Sequence, residues 1–146
     1  MDFMTAPEAA NAETVRKLYD EALNQNRPEL LPELLTEDIV FHSTTEEQGM
    51  AAYQAMTGLR VAFGDMRFTI HDLIASGDRV VVRWSMTANH QGPLAGIPAT
   101  GKPIQQRANV IYRMEGGKIA EGWAQMDQIG VLRQLGVDPL ANAKAN

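Results

Sequence analysis

The chain contains no cysteine. Disulfides, thiolate metal sites and cysteine nucleophiles are therefore excluded together. Positive charge is also scarce: 13 lysines and arginines stand against 18 aspartates and glutamates, for a net charge of −5. A phosphate backbone needs a basic face, so no nucleic-acid partner is expected. No apolar run approaches the ~20 residues of a membrane span. The N-terminal "MDFMTAPEAANAE" has neither the basic region nor the apolar stretch of a secretion signal. These absences predict a cytoplasmic protein that works away from membranes. Only three histidines occur, His42, His71 and His90, and none is spaced as in His-x-x-x-His, so no metal site is expected.

What is present suits one folded domain. The 146 residues are 45% hydrophobic and 21% charged, enough to bury a sizeable core. The domain is expected over residues 1–146, with its core at about 10–136 and fraying ends. Pro7 can sit in a first helical turn, and Val15, Leu18, Tyr19, Ala22 and Leu23 then recur at helical spacing. A second short helix opens at Pro28 and carries Leu30, Leu31, Leu34 and Leu35. A strand is expected at 38–43 and a third helix at 49–63, with Glu46 and Glu47 read as a solvated helix start. From residue 66 the period changes to two. Strands are predicted at 66–75, 79–90, 102–114 and 118–127, with hairpin turns at "SGD" and "EGG" and a short closing helix "QIGVLRQLG". Helices segregated from an antiparallel meander give α+β, here a curved antiparallel sheet wrapped around the N-terminal helices with a central pocket.

Alternation assigns the faces. Val80, Val82, Trp84, Met86, Ala88 and His90 share the apolar face of their strand, and Gln106, Ala108, Val110, Tyr112 and Met114 share that of the next. On 118–127 the two faces, Ala120/Gly122/Ala124/Met126 and Ile119/Glu121/Trp123/Gln125/Asp127, remain open alternatives. The expected pocket lining includes Phe41, Trp84, Met86, Val110 and Tyr112, with Ser43, Gln106 and His90 as polar groups. Tyr19 and Trp123 join Phe41, Trp84, Met86, Gln106 and Tyr112 as candidate ligand contacts. Such a lining suits a small hydrophobic, aromatic or polycyclic molecule.

Between two strands lies "HQGPLAGIPATGK", residues 90–102. A phosphate-binding loop would precede a helix N-terminus, so that reading fails. The segment is also too long for a tight hairpin, and reads as a lid or rim at the pocket mouth. This loop, with "YRMEGGKIAEGW" and "DQIGVLRQLG", resembles the SnoaL-like polyketide cyclase family over roughly residues 10–136. The resemblance implies a nuclear-transport-factor-2-like cone, a homodimer, and aldol-type ring closure of polyketide esters without a cofactor. Relatives of the fold also hydrolyse epoxides, dehydrate, isomerise or only bind. Counted from the Gly-Lys-Ile turn, the cyclases' acid/base aspartate falls on Ala124, and Asp127 matches a second acidic position. The cyclases' asparagine on the first strand falls on Phe41 or His42, depending on a one-residue register. Their polar pair on the fourth strand falls on Ala108 and Val110.

Three residues are candidates for chemistry. His90 can exchange protons near neutrality as a general base, or can cap the loop that follows it. His42 stands where a strand leaves the core, as a catalytic or a packing histidine. Asp127 can act in the cavity or cap the closing helix. His71 is expected in solvent. The leading expectation is cofactor-independent acid/base chemistry, of cyclase, isomerase or dehydratase type, on a hydrophobic carbonyl compound. The alternative is a non-catalytic small-molecule binding protein, which Ala124 favours. A purely structural association domain would leave the loop unexplained. A homodimer is expected through the sheet's outer row of Arg83, Ser85, Thr87, Gln105, Arg107 and Asn109.

Overall fold

Thr-x-x-Glu at positions 5–8 opens the fold. In the structure, a computed structural model that describes residues 4–141, Thr5 caps helix α1 (Ala6–Lys17). Its hydroxyl accepts the Glu8 N–H, and the Glu8 carboxylate accepts the Thr5 N–H at 2.8 Å. This reciprocal box satisfies donors that a helix start leaves without partners. The other Glu8 oxygen accepts the Gly77 N–H at 2.6 Å and ties the helix to a distant hairpin. Beyond Lys17 the chain is π-helical over Leu18–Leu23, and the Asn24 N–H bonds the Tyr19 carbonyl. Leu18, Tyr19 and Ala22 face the core from this stretch.

A 3-10 turn (Pro28–Leu30) and helix α2 (Leu31–Leu34) come next. Leu35 was expected in this helix but begins strand β1 (Leu35–His42), where it pairs with Ile119. Its burial in the sheet outweighs its helix propensity. Glu46 and Glu47 do not start a helix either. They form β2 (Glu46–Gln48), pairing with His42 and Phe41. Helix α3 (Met50–Ala62) leads into β3 (Phe63–Ser76), β4 (Arg79–His90), β5 (Pro103–Glu115), β6 (Lys118–Met126) and helix α4 (Gln128–Gln134). Two-residue turns close the β3–β4 and β5–β6 hairpins, as the sequence predicts.

The sheet order is β2-β1-β6-β5-β4-β3. Neighbours are antiparallel except β1 and β6, which are parallel. The sheet is therefore curved, unclosed and mixed rather than wholly antiparallel. Strand β1 enters from the helical layer, so no hairpin dictates its direction against β6. Helices α1 and α3 pack on the sheet, and α4 lies against β5. Alternation holds along β4 and β5, whose predicted apolar faces are buried apart from the half-buried Gln106. An irregularity between Arg113 and Met114 shifts the β6 register. Ile119 and Ala120 are both buried, after which Gly122 and Ala124 point inward and Trp123 outward. Among the described residues no helix is long and apolar enough to cross a membrane.

Candidate functional site

The deep end of the cone is filled with rings. Tyr19 comes from the π-helical turn, Phe68 from β3, Trp84 from β4 and Tyr112 from β5. Phe68 and Trp84 meet edge to face at 4.8 Å, and Tyr19 lies 5.4 Å from Phe68, 6.2 Å from Trp84 and 6.5 Å from Tyr112. The Tyr19 and Tyr112 hydroxyls hydrogen-bond each other. Burial pushes the Tyr112 hydroxyl far above the usual tyrosine range, and burial together with Tyr112 does the same to Tyr19. Both stay protonated, so neither serves as a base near pH 7. The Trp84 indole N–H is near enough to the Tyr19 hydroxyl to oppose its shift weakly, yet it forms no well-aligned hydrogen bond among the described residues. Phe41 and Tyr112 close over Gly122, where an added Cβ would lie 2.9 Å from the Phe41 ring. Met86 is buried beside this cluster. Tyr19, Trp84, Met86 and Tyr112, expected as ligand contacts, are thus packed core.

Open space lies at the wide end instead. One chamber of about 230 Å³ is lined by Leu59, Phe63, Leu94, Gln106, Met126, Gln128, Val131 and Leu132, among others. Among the described residues no charged side chain lines it. The Gln106 and Gln128 carboxamides make no hydrogen bond to the described residues, which leaves both uncommitted. A second, more polar space of about 280 Å³ shares Met126 and Gln128 with the first. It is lined by Ser43, Thr44, Ala124 and Asp127 as well. Of the expected ligand contacts, only Gln106 lines the apolar chamber.

The 91–102 segment forms the chamber's rim. Leu94 and Ile97 exchange backbone hydrogen bonds at 3.0 and 2.8 Å, making a small hairpin whose Leu94 and Ala95 face the chamber. The apolar pair flanking "AG" carries this hairpin signal, which the abundance of turn-formers masks. Both Gln91 and Gly92 donate backbone N–H to the Ala62 carbonyl at the end of α3. At Gly92 a Cβ would sit 2.0 Å from the Val61 carbonyl oxygen, so only glycine permits this approach. That anchoring excludes Gly92 as a free hinge.

His90 anchors the other side. Its ring is fully buried. Nδ1 accepts the Thr100 backbone N–H at 3.2 Å and lies 2.9 Å from the Thr100 hydroxyl. An acceptor at Nδ1 places the proton of the neutral ring on Nε2. Nε2 is buried without a partner among the described residues. Across the ladder His90 pairs with Phe63, a chamber-lining residue. The loop-capping reading therefore holds for one nitrogen, and the other is left free.

The remaining candidates lie elsewhere. His42 is on the outer side of the sheet, stacked at 5.5 Å on Trp123, with Nε2 2.7 Å from Glu121. Arg113 bonds the other Glu121 oxygen at 3.2 Å. The His42 hydrogen bond first, then Arg113, holds the Glu121 carboxyl below its usual range. Trp123 also faces Arg79 at 5.4 Å. His42 and Trp123 thus point away from the cavity, because the β6 shift turns Trp123 outward. Asp127 caps α4, its carboxylate accepting the Gly130 N–H at 2.9 Å, a bond worth about 1 kcal/mol. It lines the polar space but not the apolar chamber. His71 is exposed, with Nε2 2.8 Å from the Ser85 hydroxyl. Among the described residues, no cluster of metal-ligating side chains occurs.

The outer face carries a groove of about 770 Å³ over Arg83, Ser85, Gln105, Arg107 and Asn109. Beside it runs an apolar row. Ile74, Val81, Ile111 and Trp123 are direct ladder partners across four strands, and each is at least 37% exposed.

Residues 13–135 match the family model described as SnoaL-like polyketide cyclase. Among solved structures, IdmH from Streptomyces antibioticus, a provisionally assigned polyketide cyclase, is 29% identical. It superposes with a TM-score of 0.77 over 87% of this chain and 99% of its own. AclR from Streptomyces galilaeus, a provisionally assigned hydroxylase, is 26% identical with a TM-score of 0.80, covering 88% of this chain and 97% of its own. A SnoaL-like protein from Jannaschia sp. CCS1 shares the fold at a TM-score of 0.85 and 23% identity, over 95% of this chain and all of its own. No curated protein matches the chain.

Proposed function

Because the chain belongs to the SnoaL-like polyketide cyclase family, we propose that it binds a small hydrophobic carbonyl compound in the apolar chamber and acts on it without a cofactor. The reaction type is proton transfer next to the carbonyl, the step common to cyclases and isomerases. The observation that carries this reading is the orphaned Nε2 of a fully buried histidine whose ladder partner, Phe63, lines an apolar chamber with an uncommitted Gln106. With its proton on Nε2, His90 works as a hydrogen-bond donor to the carbonyl oxygen rather than as the general base the sequence suggests. Donation stabilises the oxyanion as a proton leaves the neighbouring carbon for water. His90 does not itself line the chamber, so the side chains between, Phe63 among them, must move for a ligand oxygen to reach Nε2.

A second reading, non-catalytic binding, is favoured by Ala124. By the resemblance a methyl group stands where the family's cyclases carry the acid, and among the described residues the apolar chamber is lined by no titratable side chain. Deuterium exchange at the methyl group of acetophenone separates the two. The active reading expects exchange above the buffer rate, and a fall of about 10²–10³-fold in His90→Asn, the scale for losing one oxyanion donor. Asparagine keeps an acceptor near the Nδ1 position for the Thr100 N–H but lacks the Nε2 arm. Acetophenone bound without exchange establishes the binding-protein reading.

For assembly we propose an isologous homodimer through the outer face. The support is the exposed apolar row, which a monomer leaves in water, flanked by the polar row around Arg83 and Arg107.

A further inference from the structure

We infer that the ligand is monocyclic, or a short acyl chain of similar bulk, rather than a polycyclic ring system. The inference rests on the reading of the apolar chamber as the binding site. Four features of the interior support it. Tyr19, Phe68, Trp84 and Tyr112 are each at most 6% exposed and occupy the depth of the cone with ring contacts of 4.8–6.5 Å. The hydroxyl bond between Tyr19 and Tyr112 fastens the helical layer to β5 across that depth, so a ligand entering it would have to break a buried hydrogen bond. On β5 and β6 the inward-facing Ala108, Val110 and Ala124 are buried and offer an incoming polar ring no partner. The apolar chamber itself, about 230 Å³, is below the ~300–1,000 Å³ of sites for larger organic ligands. It exceeds the ~150 Å³ apolar cavity that accepts benzene.

Met126 sets the length limit. With Gln128 it lines both the apolar chamber and the polar space beside Ala124, where the two meet. A ring seated among Leu59, Phe63, Leu94 and Leu132 puts a single polar substituent within the region of Gln106 and Gln128. A second fused ring would overlap the Met126 side chain. Shortening Met126 joins the two spaces and lengthens the site without touching the aromatic cluster.

The test is a binding series on the intact chain with uncharged ketones of increasing size: acetophenone, acetonaphthone and tetracenequinone. Parent protein should bind acetophenone about tenfold or more tightly than acetonaphthone, the scale on which a pocket rejects one excess group, and should not bind tetracenequinone. Met126→Ala should reverse the first preference, with far-UV circular dichroism unchanged. Leu132→Trp, which fills the chamber, should abolish binding of all three. Tetracenequinone bound by the parent as tightly as acetophenone, and lost in Leu132→Trp, overturns the size limit while leaving the site in place. Binding that survives Leu132→Trp, or no binding by any ketone, overturns the site and the size limit together.

Discussion

Trp84 makes the packing argument quantitative. Its ring is 5% exposed and sits edge to face with Phe68 and tilted against Tyr19. Trp84→Ala removes that ring from a site bounded by β3, β5 and the π-helical turn, none of which can collapse inward freely. The expected loss is about 3–5 kcal/mol, the range for large aromatic truncations in a core. Trp84→Phe tests a different term. It keeps a ring against Phe68 and removes an indole N–H that is buried without a well-formed hydrogen bond among the described residues. An unsatisfied buried donor costs about 1–3 kcal/mol, which offsets most of the area lost with the smaller ring. The phenylalanine variant should therefore lie within about 1 kcal/mol of the parent. Urea melts of the three proteins, with m-values compared, read both numbers. A phenylalanine variant as unstable as the alanine variant would refute the orphaned N–H. An alanine variant that loses less than about 2 kcal/mol would refute a filled cone and reopen the deep end as a ligand pocket.

Three further outcomes follow from other contacts. Gly92→Ala forces a Cβ against the Val61 carbonyl oxygen, and chemical melts should show a loss of about 1–3 kcal/mol, accompanied by weaker ketone binding as the hairpin loosens. Glu121 is held below its usual range in the fold, so its ion pairs stabilise above the unfolded carboxylate pKa and lose that contribution as pH falls through the folded value; the stability gap between parent and Glu121→Gln should close on acidification in urea melts run from pH 7 downward. Trp123→Lys places a charge in the exposed apolar row, and light scattering should move from a dimer mass to the 16.1 kDa of one chain, whereas a parent that is already monomeric refutes the dimer.

The sequence carries the sheet faces well where the pattern is local. Trp84, Met86, Val110 and Tyr112 point inward as period-two alternation requires, and Asp127 caps the helix that follows it. It fails where distant segments decide. The β6 register depends on an irregularity against β5, so Trp123 could not be assigned a face from alternation alone. The parallel β1–β6 pairing and the small β2 depend on how the helical layer delivers β1, which no short window encodes. The ligand contacts misled for a related reason. Alternation says which rings point into a cone but not whether they fill it, and here a tyrosine pair and a tryptophan close the depth. The chamber residues Leu94, Met126 and Leu132 come from a loop, a strand end and a helix, and only folding brings them together. For His90 the strand position was legible, but its role turned on Thr100, ten residues away along the loop, which takes Nδ1 and frees Nε2.

The central claim is that ligand enters the wide-end chamber and meets His90. Chemical-shift mapping by NMR with acetophenone tests it most directly. The account predicts perturbed amides at Phe63, Leu94, Ala95, Val131 and Leu132, together with a shifted His90 Nε2 resonance in the proton-bearing form. Perturbation confined to the outer-face groove, at Arg83, Arg107 and Asn109 with His90 unmoved, would contradict it.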